Sequence, residues 1–460
     1  MSEIDHVEAV RDGWGDILPE FVASIHDALV RDDAKVVRAK TKDLHAADMA
    51  DLIEFLAQDD RVRLIAALGK SFDVEALAEL DESVRDELVE ALPADVIASA
   101  IRKLDTDDAV YLIEELDRED RAEILSKVSK QDRATLSRAL DFADGTAGRL
   151  MQTEFVAVDS AWTVQKVIDH VRVARALPEN FVELYVVDAG YHLTGAVPLS
   201  RLLRADRDKR VSTIMDEEQT VFRVTDDEHD VASKFERYNL VSAAVTDEGG
   251  KLVGMLMVDD ILDVIQESAG EDILHLGGVG AEDSVVDGVW ETAQSRFMWL
   301  FVNLLTAIGA SWVISWFDAT IEQMVALAIL MPIVASMGGN AGTQTMTVAV
   351  RALATRQLGP VNALKVTLRE CSVGLLNGLV FAVLMGLFAW MWFGSEGLGG
   401  VIAAAMVINL VAAAVAGILV PLTLDHFEID PAIASGAFVT TVTDVVGFFA
   451  FLGLAAVWLL

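Results

Sequence analysis

The sequence predicts a multidomain membrane protein. It has an all-α superhelical amino-terminal domain (1–150), an α/β tandem repeat (151–267), a connecting helix (268–296) and a five-helix transmembrane domain (297–460). Three observations carry this. Charge is confined almost entirely to the part before Phe297. Apolar residues recur every twelve positions over 44–140. The segment Val186–Leu203 returns at an offset of 59 residues.

The amino-terminal domain rests on the twelve-residue period: Leu44, Leu56, Leu68, Leu80, Leu92, Leu104, Leu116, Val128 and Leu140. Four positions after most of these comes an aspartate (Asp48, Asp60, Asp108, Asp120, Asp132, Asp144), then an apolar pair such as Leu52–Ile53, Leu64–Ile65, Leu112–Ile113 or Ile124–Leu125. Each unit reads as an aspartate near a helix start, suited to capping, followed by about two turns of amphipathic helix. Helices this short are not stable alone, so they are expected to stack into a superhelix with a shared buried seam.

In the second domain, VVDAGYHLTGAVPLSRLL (Val186–Leu203) aligns with VTDEGGKLVGMLMVDDIL (Val245–Leu262). Both read as strand, glycine-containing turn, strand and helix start. A methionine, a short strand (Phe155–Val158, Val221–Val224) and a helical stretch precede each copy. This β-α-β-β-α order resembles a tandem CBS-domain pair, a regulatory module.

Beyond the acidic connector (268–296), five apolar stretches follow, at about 297–317, 324–350, 372–393, 401–424 and 433–460. Each has the roughly 20 residues needed to cross about 30 Å of hydrocarbon. Before Phe297 there are 32 basic and 64 acidic residues, a net of −32, against −4 after it. The four basic residues of the apolar half (Arg351, Arg356, Lys365, Arg369) all lie between the second and third stretches. The positive-inside tendency then puts that loop and the soluble half in the cytosol and the carboxyl terminus outside the cell membrane. The opening MSEIDHVEAV has no basic-then-apolar signal pattern, which agrees with a cytosolic soluble half.

Composition excludes several function classes. So large a negative charge repels nucleic acid and suits a halophile-like cytoplasm, where screening is strong. Divalent-cation binding would need only a few of these carboxylates. One cysteine, Cys371, rules out an intramolecular disulfide and a cysteine-built metal site. The eight histidines are scattered, and there is no nucleophile–base grouping or phosphate loop, so an enzyme is not expected.

One carboxylate stands out. Asp444 lies mid-span in FVTTVTDVVGFFAF, with no Lys, Arg or His at similar depth in any span. A charge there costs several kcal/mol unless it faces water, a partner or an ion. A cation pathway is the favoured reading, and a protonated, hydrogen-bonded aspartic acid the other. The second span holds Pro332 and the run Gly338–Gly339–Asn340–Ala341–Gly342. These would weaken a helix interior, and broken backbone at membrane depth is tolerated where it lines a wet cavity. Exposed carbonyls and the Asn340 amide would then offer oxygen dipoles to an ion. Close helix packing through small residues is the other account.

These residues carry a resemblance that covers essentially the whole chain. The Pro–Gly-Gly-Asn-x-Gly-x-Gln pattern, the RALATR end of the second span and IDPAIASGAFVTTVTDVVGF around Asp444 are similar to the MgtE family of magnesium channels. The resemblance implies a homodimer with its pore on the symmetry axis. Asp444 of each subunit would hold a largely hydrated Mg²⁺, an ion that dehydrates reluctantly, with Gly339, Asn340 and Thr440 as neighbouring pore positions. It also implies regulatory Mg²⁺ held by Asp107, Asp260, Asp263, Glu271, Asp272 and Asp430, with Asp108 and Asp259 beside them. Tyr111, Asn239 and Ser268 stand where some members have carboxylates, and Gly436 where an asparagine is common. CBS pairs often contact a nucleotide ribose through Ser/Thr-x-x-Asp. Here the equivalents are Pro198-Leu-Ser-Arg201 and Met257-Val-Asp-Asp260, so ATP binding is not expected.

The function expected is Mg²⁺ influx gated closed by cytosolic Mg²⁺. An Na⁺- or H⁺-coupled divalent carrier, or a membrane-anchored metal sensor without flux, are the rival readings.

Overall fold

The computed structural model describes residues 10–13, 15–174, 177–178, 180–280, 288–359, 361–427 and 429–459. The chain divides into two compact units, Met1–Gln266 and Glu267–Leu460.

The first unit opens with nine short helices: α1 (Pro19–Val30), α2 (Ala34–Thr41), α3 (Ala46–Phe55), α4 (Gln58–Leu68), α5 (Glu82–Ala91), α6 (Ala94–Ile101), α7 (Thr106–Tyr111), α8 (Arg118–Lys127) and α9 (Lys130–Leu140). The twelve-residue seam is real. All nine periodic positions lie in one core or pack against its edge, and Leu52, Ile53, Leu64, Leu112 and Ile113 are buried with them. Each such side chain contributes on the order of 1.5–3 kcal/mol. No single helix here is long enough to be stable by itself.

The aspartates of the repeat do something other than cap. Asp48, Asp60, Asp108, Asp120 and Asp132 are each the third residue of their helix. Where a side chain caps, it is the residue just before the helix: Asp117 on α8, Ser129 on α9 and His45 on α3. The repeat aspartates sit where a negative charge meets the positive end of the helix dipole. Asp60 is also buried and holds His26 Nδ1 at 2.6 Å.

A four-residue helix, α10 (Ala147–Leu150), leads into two three-stranded sheets. The first repeat is β1 (Ala157–Asp159), α11 (Val164–Val173), β2 (Glu183–Val187), β3 (Leu193–Pro198) and α12 (Leu199–Arg204). The second is β4 (Val221–Arg223), α13 (Glu228–Tyr238), β5 (Ser242–Thr246), β6 (Leu252–Met257) and α14 (Val258–Leu276). In each, the first strand runs parallel to the second and the second antiparallel to the third. Both second strands bulge at the same place, Val186/Val187 and Val245/Thr246. The copies also face each other with two-fold logic: Leu193 N–H donates to Gly250 O, and Leu252 N–H to Tyr191 O, both at 3.2 Å.

The two lead-in methionines are exchanged, which the sequence did not signal. Met151, ahead of the first repeat, is buried in the core of the second with Phe222, Phe235 and Leu256. Met215, ahead of the second, packs in the core of the first. Gly254 and Gly195 make room for them, since a Cβ at either would lie 2.6 Å from Met151 Sδ or 3.1 Å from Met215 Sδ.

The second unit contains α15 (Val289–Ser315), α16 (Asp318–Gln323), α17 (Ala326–Ala354), α18 (Ala363–Phe393), α19 (Glu396–His426) and α20 (Pro431–Trp458). Five of these are long and apolar enough to cross a membrane. α19 is the most buried and packs against α17, α18 and α20. The expected connector is helical at both ends: α14 runs on to Leu276 and α15 starts at Val289. Its middle, 281–287, lies outside the described residues.

One expectation for this unit is not met. The stretch with Pro332 and the Gly338–Gly342 run is a single unbroken helix, α17. The glycines are explained by what touches them. A Cβ on Gly342 would lie 2.6 Å from Val439 Cγ1, and one on Gly338 2.2 Å from Asn409 Nδ2. Close packing, with its dispersion contacts and helix-to-helix hydrogen bonding, compensates for the poor helix propensity here.

Candidate cation sites

The first candidate site is on α20. Asp444 lies in the middle of the helix and is partly exposed within a single chain. Thr440, one turn earlier, is exposed, and Thr443 is fully buried, donating from Oγ1 to Thr440 O at 2.9 Å. On α17, Asn340 is exposed and Gly339 partly so. α17 and α20 pack directly on each other, through Gly342 against Val439 and Thr443. The two helices that carry Asn340 and Asp444 are thus held together in one unit. Since α17 is intact, its carbonyls stay in helical bonds. The oxygens on offer are side chains: the Asp444 carboxylate, the Asn340 amide and the Thr440 hydroxyl.

Asp430 caps α20, accepting Ala432 N–H at 2.7 Å, and its other oxygen meets His275 Nδ1 at 3.0 Å. It therefore ties the end of α14 to the start of α20, and Leu276 packs beside Met346, Val350, Ala432 and Val439. Glu271 and Asp272 lie half-buried on the last two turns of α14, in this same unit.

The second candidate site lies in the first unit, where the start of α7 meets the start of α14. Asp107 Oδ1 is shut off from solvent with no hydrogen-bond partner, while Oδ2 accepts from Gln152 Nε2 at 3.3 Å. Burial first, then the nearby Asp260 and Asp108, push its carboxyl well above the usual range. Asp260 accepts Met257 N–H at 3.3 Å, yet burial and then Asp259 and Asp108 raise it to about 7. Burial followed by Asp105, Glu79 and Asp259 raises Asp108 to about 6. Asp263 is raised by partial burial and then by Asp259, which itself stands exposed. Asp107, Asp108, Asp259, Asp260 and Asp263 therefore lie within electrostatic reach of one another, although no three acidic, histidine or cysteine side chains among the described residues are set closely enough to cage a metal ion.

Sequence reasoning missed Asp105, Glu154 and Gln152 here. Asp105 is raised by burial, then Glu154, Glu75 and Asp259. Glu154 accepts the N–H and hydroxyl of Thr106 at 3.2 and 2.9 Å. Asp105 could have been found from the run Asp105-Thr-Asp-Asp108. Glu154 and Gln152 come from a separate segment and carried no signal of their own.

One substitution, Tyr111, has a structural reason. Arg85, fully buried, lies over the Tyr111 ring at 3.7 Å, so a cation already occupies the place a second one would take. Asn239 closes α13 at φ +52°, a left-handed position that asparagine and aspartate both tolerate, so the backbone does not explain the exchange.

Among the described residues, no cationic side chain is one of the strongest influences, of either sign, on Asp107, Asp108 or Asp260. Buried like charges that cannot be paired take up protons or bind a metal. Without a cation, the packed arrangement holds protons that separated carboxylates would release above about pH 4. Its stability is then present at low pH and falls as pH rises through about 6 to 7. Adding Mg²⁺ to the full chain in detergent at pH 7 should therefore release protons, and less so at pH 8.5. Calorimetry in buffers of differing ionisation enthalpy measures this; binding heats that do not depend on the buffer at pH 7 would contradict it.

With this geometry in view, the comparisons with known proteins are direct. Residues 331–454 match the MgtE family model, described as a divalent cation transporter. Residues 44–145 match the MgtE intracellular N domain, and 211–267 a CBS domain. The chain is 35% identical over 316 residues to the magnesium transporter MgtE of Thermus thermophilus, covering 68% of this chain and 70% of that protein. It is 32% identical over 324 residues to that of Enterococcus faecalis, covering 70% and 71%. Among solved structures it is similar to the soluble part of a magnesium transporter, at 28% identity, TM-score 0.49, 54% of this chain and 98% of that one. It is likewise similar to the cytosolic domain of the Mg²⁺ channel MgtE in complex with ATP, at 29% identity, TM-score 0.49, 53% and 99%. Matches at the amino-terminal helices, the repeats and the apolar helices, together with a 35% identical relative, make this chain a member of the MgtE family, a family of membrane transporters and not of enzymes.

Proposed function

We propose that this protein is a homodimeric, Mg²⁺-selective channel that lets Mg²⁺ into the cell and closes when cytosolic Mg²⁺ binds its soluble half. The observation that carries the gating is the burial of Asp107 against Asp260 and Asp108 with no compensating cation. The relatives named magnesium transporters support the ion. Asp444, uncompensated within an apolar helix, supports the pathway, with Asn340, Gly339 and Thr440 as its neighbours. Residues 1–150 act as the sensor domain, 151–267 as the CBS pair, 268–296 as the connector and 297–460 as the pore, with the carboxyl terminus outside. Asp107, Asp108, Asp259, Asp260 and Asp263 are the regulatory Mg²⁺ ligands of the first unit, and Glu271, Asp272 and Asp430 those of the second.

ATP has no part in this reading. Arg201, where a ribose-binding aspartate would stand, donates to Ile214 O at 3.1 Å, and Asp260 belongs to the acidic cluster.

Flux into dye-loaded proteoliposomes tests the proposal. An inward Mg²⁺ gradient alone should drive uptake, unchanged by imposed Na⁺ or pH gradients or by ATP at fixed free Mg²⁺. Uptake that requires an Na⁺ or pH gradient would make the protein a coupled carrier, and absence of uptake a sensor only.

A further inference from the structure

Asn409 is a polar residue in the middle of the most buried apolar helix. It is 1 % exposed. Its Nδ2 donates to Val334 O at 2.8 Å, a carbonyl on α17 one turn before Gly338. Its Oδ1 is buried and meets no donor among the described residues. Leaving such an acceptor unpaired in the interior is unfavourable. An apolar residue of the same shape would avoid that loss, so packing alone does not explain an asparagine here.

The surroundings say what the amide does. It is clasped between two glycines from different helices. A Cβ on Gly338 of α17 would lie 2.2 Å from Nδ2, and one on Gly447 of α20 would lie 2.7 Å from the same atom and 3.2 Å from Oδ1. Gly338 is two residues before Asn340, and Gly447 three residues after Asp444. One side chain of α19 therefore touches both pore helices within a turn of each candidate cation ligand. Any axial slip or rotation of α17 against α20 would drive one glycine backbone into the amide or break its bond to Val334.

We propose that Asn409 is a positioning residue for permeation: it pins α17 to α20 so that the Asn340 amide and the Asp444 carboxylate meet the ion at a fixed relative depth. This rests on the pore reading given above. A misplacement of about 1 Å in a binding constellation can change rates by about a hundredfold, whereas the bond to Val334 is a modest contributor to stability.

The test is Asn409→Leu in the full chain, with Mg²⁺ and Ca²⁺ uptake measured separately over a range of concentrations. The expected result is a melting temperature at or above wild type, with the Mg²⁺ concentration for half-maximal flux and the Mg²⁺-over-Ca²⁺ flux ratio each changed by about tenfold. A purely structural residue would change the amount of active protein and leave both of those quantities alone. Gly447→Ala, which presses on the same amide from the α20 side, should shift them in the same way, and it decides the matter if Asn409→Leu does not fold. Wild-type half-saturation and ion ratio in the folded variants would overturn the assignment. Failure of the pore reading would look different, because Asp444→Ala would then conduct.

Discussion

Asp444→Ala is expected to abolish Mg²⁺ flux while leaving a folded protein. Asp444 is the one acidic residue in the interior of the five apolar helices, and no basic residue accompanies it there. In its ionised form it needs water, a partner or a cation at that depth, because an isolated charge in hydrocarbon costs several kcal/mol. Mg²⁺ that keeps most of its water needs an anionic, outer-shell partner more than a tight cage of direct ligands. Removing the carboxylate should reduce uptake by at least about a hundredfold, equivalent to about 2.7 kcal/mol. Stability should hold or rise, since a costly group has been removed. Proteoliposome uptake beside a size-exclusion profile checks both halves. Wild-type uptake by a properly folded variant would remove Asp444 from the pathway.

The second large effect is on gating. Neutralising Asp260 and Asp263 together should leave the channel open at internal Mg²⁺ that shuts the wild type. Two consequences of such a change oppose each other. Fewer like charges favour the compact state, and fewer ligands weaken the Mg²⁺ that holds it. The protonation states decide between them. Asp260 is raised to about 7 and Asp107 well above its usual range, so near neutral pH the cation-free cluster already carries protons. Little repulsion is left for the substitutions to relieve. What they take away is the charge that Mg²⁺ would bind once those protons leave. High monovalent salt screens the exposed Asp259 and Asp263 and acts less on the more enclosed Asp107 and Asp260. Moving a two-state equilibrium from 1:99 to 99:1 requires about 5.5 kcal/mol of differential binding. Several weak sites can supply that jointly, so loss of two ligands should shift the closing concentration by tenfold or more, an order-of-magnitude figure equal to about 1.4 kcal/mol. Normal closure in the double variant would remove these residues from the sensor.

Much of this was legible in the sequence because it is periodic. The twelve-residue leucine repeat reports its own seam, the 59-residue offset returns strands and bulges in register, and five spans follow from length and hydropathy alone. What was not legible depends on contacts between distant segments. The period located the repeat aspartates near helix starts but could not tell the capping position from the third residue, because caps such as Asp117 and Ser129 lie three residues earlier and outside the pattern. Pro332 and the glycine run looked like a break because propensity takes no account of neighbours. Asn409 and Val439, about 70 and 100 residues further along, fill the space those glycines leave. Met151 meets Gly254 about 100 residues further on, Met215 meets Gly195 20 residues back, and Asp107 meets Asp260 about 150 residues away, each with no local signature.

The central claim is that cytosolic Mg²⁺ closes a Mg²⁺-conducting pore, and excised inside-out patches test it most directly. As Mg²⁺ at the cytosolic face is raised stepwise, open probability should fall steeply and reversibly, with unitary current through open channels persisting until closure. Open probability that stays constant across the titration in the wild-type protein would contradict the account.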